Sequence, residues 1–245
     1  MGARANGMGH ASSCLSDVWS LNNNIAGLAK TDGAVAAFSY HAFPSMTFFN
    51  KMAAVLSVPV KSGAAGVSLF RFGDNLYNEQ IFSLGFANTF GLSSLGLKVN
   101  YLQYQAEGLG SSTAVTVSFG GIATLTPQLF VGAHIVNINQ PIINELTEER
   151  VPTRVVAGMA FISDKLVLAG EIEKDLQHSP ALKSGLEYRI FKKIAFRTGF
   201  NVNPESGFFG LGFKSRKFDL DYALQFNDAL GSSHQATVVY QFKHP

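Results

Sequence analysis

The sequence predicts an all-β fold: a transmembrane antiparallel β-barrel of about fourteen strands over 33–245, preceded by a short N-terminal plug or lumen-inserted segment over 1–32. Three observations predict it. Apolar and polar residues alternate along nearly the whole chain, no apolar run is long enough for a spanning helix, and connections alternate between longer and shorter. Alternation is clearest near the end, where Phe218, Leu220, Tyr222, Leu224 and Phe226 interleave with Asp219, Asp221, Ala223, Gln225 and Asn227. A strand sends successive side chains to opposite faces, so this pattern requires an apolar medium on one side and a polar space on the other.

The same period recurs upstream. Leu182, Leu186 and Tyr188 interleave with Lys183, Glu187 and Arg189; Ile194, Phe196 and Phe200 interleave with Ala195, Arg197 and Asn201; Val115, Val117 and Phe119 interleave with Thr116 and Ser118. Almost no helical stretch is left to cover the greasy face, so the medium is expected to be lipid. A chain of 245 residues with 24 Gly, 21 Phe and 15% charged residues is poor in charge and rich in Phe for a soluble domain. Charged residues or strand alternation interrupt every candidate run of the ~20 apolar residues a helix would need. A membrane protein of this kind must be a closed barrel, because only closure pairs every backbone group.

Period-two runs bounded by turn residues place strands at 33–42, 51–60, 63–72, 78–89, 93–104, 113–124, 127–138, 153–162, 165–174, 181–190, 193–201, 206–214, 217–227 and 233–243. Connections such as 61–62, 91–92, 163–164, 191–192 and 215–216 are tight, whereas the alternate ones, 43–50, 73–77, 105–112, 139–152, 175–180, 202–205 and 228–232, are longer. Long loops outside and tight turns in the periplasm are the expected layout of a bacterial outer-membrane barrel. Ahead of the strands, Leu15, Val18, Trp19, Leu21, Ile25 and Leu28 stand at roughly helical spacing, broken by Asn22-Asn23-Asn24. A short helix or irregular plug in the barrel mouth is expected there. No secretory leader is visible, so a signal peptide is expected to have been removed or omitted from the numbering.

Several functions are disfavoured. A net charge of +2 without a long basic run gives no footprint for nucleic acid. Cys14 is the only cysteine, which leaves no intramolecular disulfide and no Cys/His zinc cluster. His10 and Cys14 could face one side of a helix, but two ligands do not make a metal site. Gly207-Phe208-Phe209-Gly210-Leu211-Gly212 mimics a dinucleotide string, yet no helix follows, and its glycines are expected to let aromatic neighbours pack or the barrel bend. No Ser/His/Asp constellation stands out around His134 or His234. Neither enzyme activity nor a cofactor is expected.

The alternation assigns Lys98, His134, Glu171, Glu173, Lys183, Glu187, Arg189, Arg197, Asp219 and Asp221 to the lumen. Such a mixed set either fills the lumen with ion pairs or lines a solute path; filling is favoured, since charges held from bulk water need partners. Arg4, whose fork bridges carboxylates, is expected to reach Glu187, Asp219 or Asp221 and fix the plug. Lys192, Lys193, Lys214, Arg216 and Lys217 fall on two neighbouring tight turns and form a basic periplasmic rim. In the longest loop, Ile142, Ile143 and Leu146 are expected to contact a partner or close a lid.

Particular stretches resemble a known family. Gly2-Ala3-Arg4-Ala5-Asn6-Gly7-Met8-Gly9-His10-Ala11, then Asp17 and Asn24-Ile25-Ala26-Gly27-Leu28-Ala29, resemble the N-terminal signature of the PorV/PorQ branch of FadL-like outer-membrane proteins. Gly185-Leu186-Glu187-Tyr188-Arg189, Gly210-Leu211-Gly212-Phe213 and the ending Tyr240-Gln241-Phe242 look like its C-terminal hairpins, with Tyr240 and Phe242 as the barrel's C-terminal signal. The resemblance implies a Bacteroidota-type outer membrane, fourteen strands and an N-terminal segment entering the lumen. It spans two roles, passage of small hydrophobic molecules and subunits of protein-export machines such as type IX secretion. The first expectation is an accessory subunit of a protein-export or outer-membrane biogenesis complex, touching membrane lipid, lipopolysaccharide and other outer-membrane or periplasmic proteins. The alternative is a FadL-like channel for small hydrophobic compounds.

Overall fold

The computed structural model describes residues 1–108, 110–144, 148–175, 179–227 and 231–242. Its strands are β1 (Val35–Ala42), β2 (Lys51–Val60), β3 (Gly63–Gly73), β4 (Tyr77–Phe90), β5 (Ser93–Ala106), β6 (Gly110–Thr124), β7 (Leu129–Val136), β8 (Ile142–Asn144), β9 (Glu149–Arg150), β10 (Arg154–Ile162), β11 (Leu166–Asp175), β12 (Ala181–Phe191), β13 (Ile194–Val202), β14 (Ser206–Lys214), β15 (Phe218–Asn227) and β16 (Gly231–Gln241). Each barrel strand pairs antiparallel with its chain neighbour, β7 pairs with β10, and β1 closes on β16. The result is a closed fourteen-stranded barrel. β8 and β9 form a separate hairpin within the longest connection, an element the alternation did not reveal.

The register puts the expected faces where the period-two pattern sends them. Phe38, Leu84, Leu97, Phe209, Leu211 and Leu220 point outward and are each 40–60% exposed, as a lipid-facing wall requires. Ser39, Ser83, Asn100, Thr116, Glu187 and Thr237 point inward and are buried. Among the described residues no helix is long and apolar enough to cross a membrane. Aromatic residues gather at the short-turn rim, where Tyr240 packs on Phe218 at 5.0 Å and on Phe242 at 4.9 Å between ring centroids. The Phe242 amide donates to the Ala34 carbonyl at 2.9 Å and extends the closing seam.

The length difference between the two sets of connections is smaller than the sequence suggests. The expected loop over 105–112 narrows to 107–109, because Ala106 pairs with Gly110 and the hairpin continues almost to its tip. Only 43–50 and 137–153 stand out as long. Both lie at the same end, so the assignment of faces survives on fewer connections.

Residues 1–30 lie inside the barrel. α1 (Ala3–Gly7) packs on β13 to β16, and 3-10 turns at Val18–Leu21 and Ile25–Lys30 follow. The helix suggested by the spacing of Leu15 to Leu28 does not form. Asp17 and Asn24 instead accept backbone N–H bonds from Trp19 (2.9 Å) and Ala26 (3.2 Å), each capping a short turn, which is the local competition these side chains offer to a longer helix. Trp19, Leu21, Ile25 and Leu28 pack on Val35, Val55, Ala64, Ala87 and Val239, the inward residues near the short-turn end. That half of the lumen is therefore filled, and the open volume lies toward the long connections.

Candidate functional site: the barrel lumen

Inward glycines let the N-terminal segment approach the wall. A Cβ on Gly185 would lie 2.3 Å from the Met8 carbonyl oxygen, and one on Gly199 would lie 2.2 Å from the Gly9 nitrogen. Gly132 and Gly158 leave room for Ser13, Gly120 for Asn24, and Gly210 for Gly7. This corrects the expectation for the 207–212 string: Gly210 faces α1 and Gly212 faces the Arg197 guanidinium, so neither serves aromatic packing.

The first charge cluster fastens this segment. Glu187, with its side chain 1% exposed, accepts from Arg4 Nε at 2.8 Å, Arg197 Nε at 2.7 Å and Arg189 at 3.0 Å. Arg197 also reaches Asp221 at 2.6 Å, and Arg4 reaches Asp17 at 3.2 Å. Three arginines thus meet three carboxylates. Of the expected partners of Arg4, Glu187 is in contact; Asp17 takes the second place, and Asp219 bonds Gln241 at 3.2 Å instead.

In the second cluster, Lys183 bridges Glu171 at 3.3 Å and Glu173 at 2.5 Å. Glu171 also accepts the Ser12 and Ser13 amides at 3.0 and 2.8 Å, holding the segment to β11. Arg154 completes the set by reaching Glu173 at 3.3 Å. Arg154 is not among the residues expected in the lumen, although its parity with Val156 and Gly158 on β10 places it inward.

Lys98 joins neither cluster. It points into a cavity of about 560 Å³ between the N-terminal segment and the long-connection end, lined in part by Phe43, Lys51, Lys98, His134, Arg154 and Glu173. On the cavity wall, Ser83 donates to Asn100 at 2.8 Å and Asn100 donates to Thr116 at 2.9 Å, a ladder across β4, β5 and β6. On the outer wall, a second, apolar recess of about 550 Å³ is bordered by Met159, Phe161, Leu168, Leu186 and Phe200 over the small residues Gly170 and Ser184. The ladder behind it is unbroken, since Gly170 pairs with Ser184 and Ser184 with Phe200.

The remaining expected positions are spread out. Lys192, Lys193, Lys214, Arg216 and Lys217 are exposed at the short-turn rim, with the Lys214 amide donating to the Lys193 carbonyl at 2.8 Å. Ile142 is exposed, Ile143 packs beside Leu102, Ala114 and Val151, and Leu146 falls outside the described residues. Ile143 is thus held against its own barrel. His10 stacks edge-on against Phe208 at 5.5 Å, and Cys14 faces the Phe130 and Gly158 carbonyls, so the two share no ligand face. His41 bonds Ser233 at 2.8 Å, a pair not anticipated from sequence. No carboxylate contacts His41 among the described residues.

No family model matches the sequence, and no curated protein matches it. Solved structures do match in fold. The CymD monoaromatic hydrocarbon channel aligns over 99% of this chain and 98% of its own, with TM-score 0.73 and 14% identity. The Ralstonia pickettii toluene transporter TbuX aligns over 99% and 98%, with TM-score 0.70 and 12% identity, and a Pseudomonas aeruginosa FadL homologue over 99% and 98%, with TM-score 0.64 and 12% identity. The structural neighbours are FadL-type outer-membrane barrels.

At these identities the likeness is one of fold. The match spans nearly the whole of each FadL-type chain. The lumen residues described above are this chain's own.

Proposed function

We propose that the protein is an outer-membrane channel for small hydrophobic compounds, with the long connections facing outward. The observation that carries this reading is the cavity held open above the N-terminal segment, in a barrel whose other half is packed. A lumen cavity of this size is within the range that encloses a small molecule. The FadL-type neighbours named as hydrocarbon channels and toluene transporters support the same reading, and none of the three is named as an enzyme. The floor of the cavity is the segment over 1–30, so a solute that crosses the barrel must pass or displace it. An accessory role in type IX secretion or barrel biogenesis, and a place in the PorV/PorQ branch, rest on sequence resemblance at the two ends of the chain.

Uptake of a radiolabelled monoaromatic compound by cells with a lipopolysaccharide outer membrane tests the proposal, comparing cells with and without the protein. Faster uptake at equal surface expression supports the channel. Unchanged uptake, together with stoichiometric copurification of another outer-membrane protein in mild detergent, would replace it with the subunit reading.

A further inference from the structure

We infer that the lumen cavity selects a compound bearing one carboxylate on an aromatic ring, and that Lys98 anchors the carboxylate. The inference rests on the channel reading and names its substrate class. Lys98 is 8% exposed, lines the cavity, and makes no ion pair or side-chain hydrogen bond among the described residues. A buried ammonium without a counter-charge is costly, and both nearby carboxylates are already engaged. Glu173 takes Lys183 and Arg154; Glu171 takes Lys183 and two backbone amides.

His134 and Asn22 also line the cavity, but their unpartnered nitrogens, Nδ1 and Nδ2, are covered by protein and do not face it. An unpaired ammonium that faces a cavity calls for a ligand that brings an anionic acceptor, and a carboxylate brings two oxygens and a charge. Phe43, Phe70 and Tyr104 supply an aromatic portion of the same lining, against which a ring can pack. A neutral hydrocarbon would leave the Lys98 ammonium unpaired.

The test is calorimetric binding to the whole protein in detergent, with sodium benzoate, neutral benzyl alcohol and octanoate as probes. Wild type is expected to bind benzoate at least about tenfold more tightly than either other probe, and Lys98→Gln to lose that margin over benzyl alcohol while binding benzyl alcohol within about twofold of wild type; tenfold corresponds to about 1.4 kcal/mol. Equal binding of benzoate and benzyl alcohol by wild type, tighter binding of octanoate, or a preference that survives in folded Lys98→Gln would overturn the inference. The wild-type comparison decides even where the variant fails to fold. Uptake of neutral aromatics without benzoate preference would retain the channel and remove the site; benzoate preference without uptake of any probe would retain the site and remove the channel.

Discussion

Replacing Glu187 by Gln removes the charge at the hub of the segment's anchoring network and turns an amide toward three arginines. The structure sets the size of the effect. Removing one partner of a buried pair costs about 3–5 kcal/mol when the other charge is stranded. Here Arg197 keeps Asp221 at 2.6 Å and Arg4 keeps Asp17 at 3.2 Å, so the loss belongs at the lower end, about 3 kcal/mol. Arg189 is 39% exposed and solvent-screened, so its share is small. With an unfolding slope of about 2 kcal/mol per molar urea, the midpoint of Glu187→Gln falls by about 1.5 M. Trp19, the sole tryptophan and buried in the segment, supplies the fluorescence readout, and heat-modified gel mobility reports the barrel. Arg189→Gln serves as the control and shifts the midpoint little. A Glu187→Gln midpoint within about 0.3 M of wild type, or an Arg189→Gln cost equal to it, would refute the assigned roles in the network.

Two other perturbations follow from the same packing. Gly199→Ala drives a Cβ against the Gly9 nitrogen and should cost about 1–3 kcal/mol and expose the N-terminal segment to protease, whereas Gly170→Ala, with nothing within 4 Å of its Cβ, should leave protection unchanged. Burial pushes the Cys14 thiol up to about 11, which lowers its reactive thiolate fraction at pH 8; a disulfide reagent should therefore react at least about a hundredfold more slowly with folded than with urea-unfolded protein, measured by thiolate release.

The barrel was legible because lipid and lumen impose one strict period on every strand, so the inward set Lys98 to Asp221 could be assigned by parity alone. Arg4 meeting Glu187 was legible for a related reason: a buried arginine beside an acidic wall needs a carboxylate. The partner Asp17 was not, since it depends on how the segment folds back through its capped 3-10 turns. The β8–β9 hairpin escaped because its strands are too short to show a period. The glycines of the 207–212 string were misread because Gly210 faces Gly7 of the N-terminal segment and Gly212 faces the Arg197 guanidinium, the first a contact distant in sequence. The cavity was invisible for the same reason: which polar atoms remain unpaired depends on where the segment stops filling the lumen.

A reversible lock on the N-terminal segment tests the proposed conduit, in which that segment closes the barrel. The Ala3 amide donates to Thr237 Oγ at 2.9 Å, so Ala3→Cys with Thr237→Cys, in a Cys14→Ser background, brings two thiols into neighbouring positions on the segment and β16. Uptake of a radiolabelled monoaromatic compound would be measured in cells with the pair oxidised and then reduced. Oxidation should abolish the protein-dependent uptake and reduction should restore it. Equal uptake in the oxidised and reduced states, with the disulfide verified by mass spectrometry, would contradict the proposed conduit.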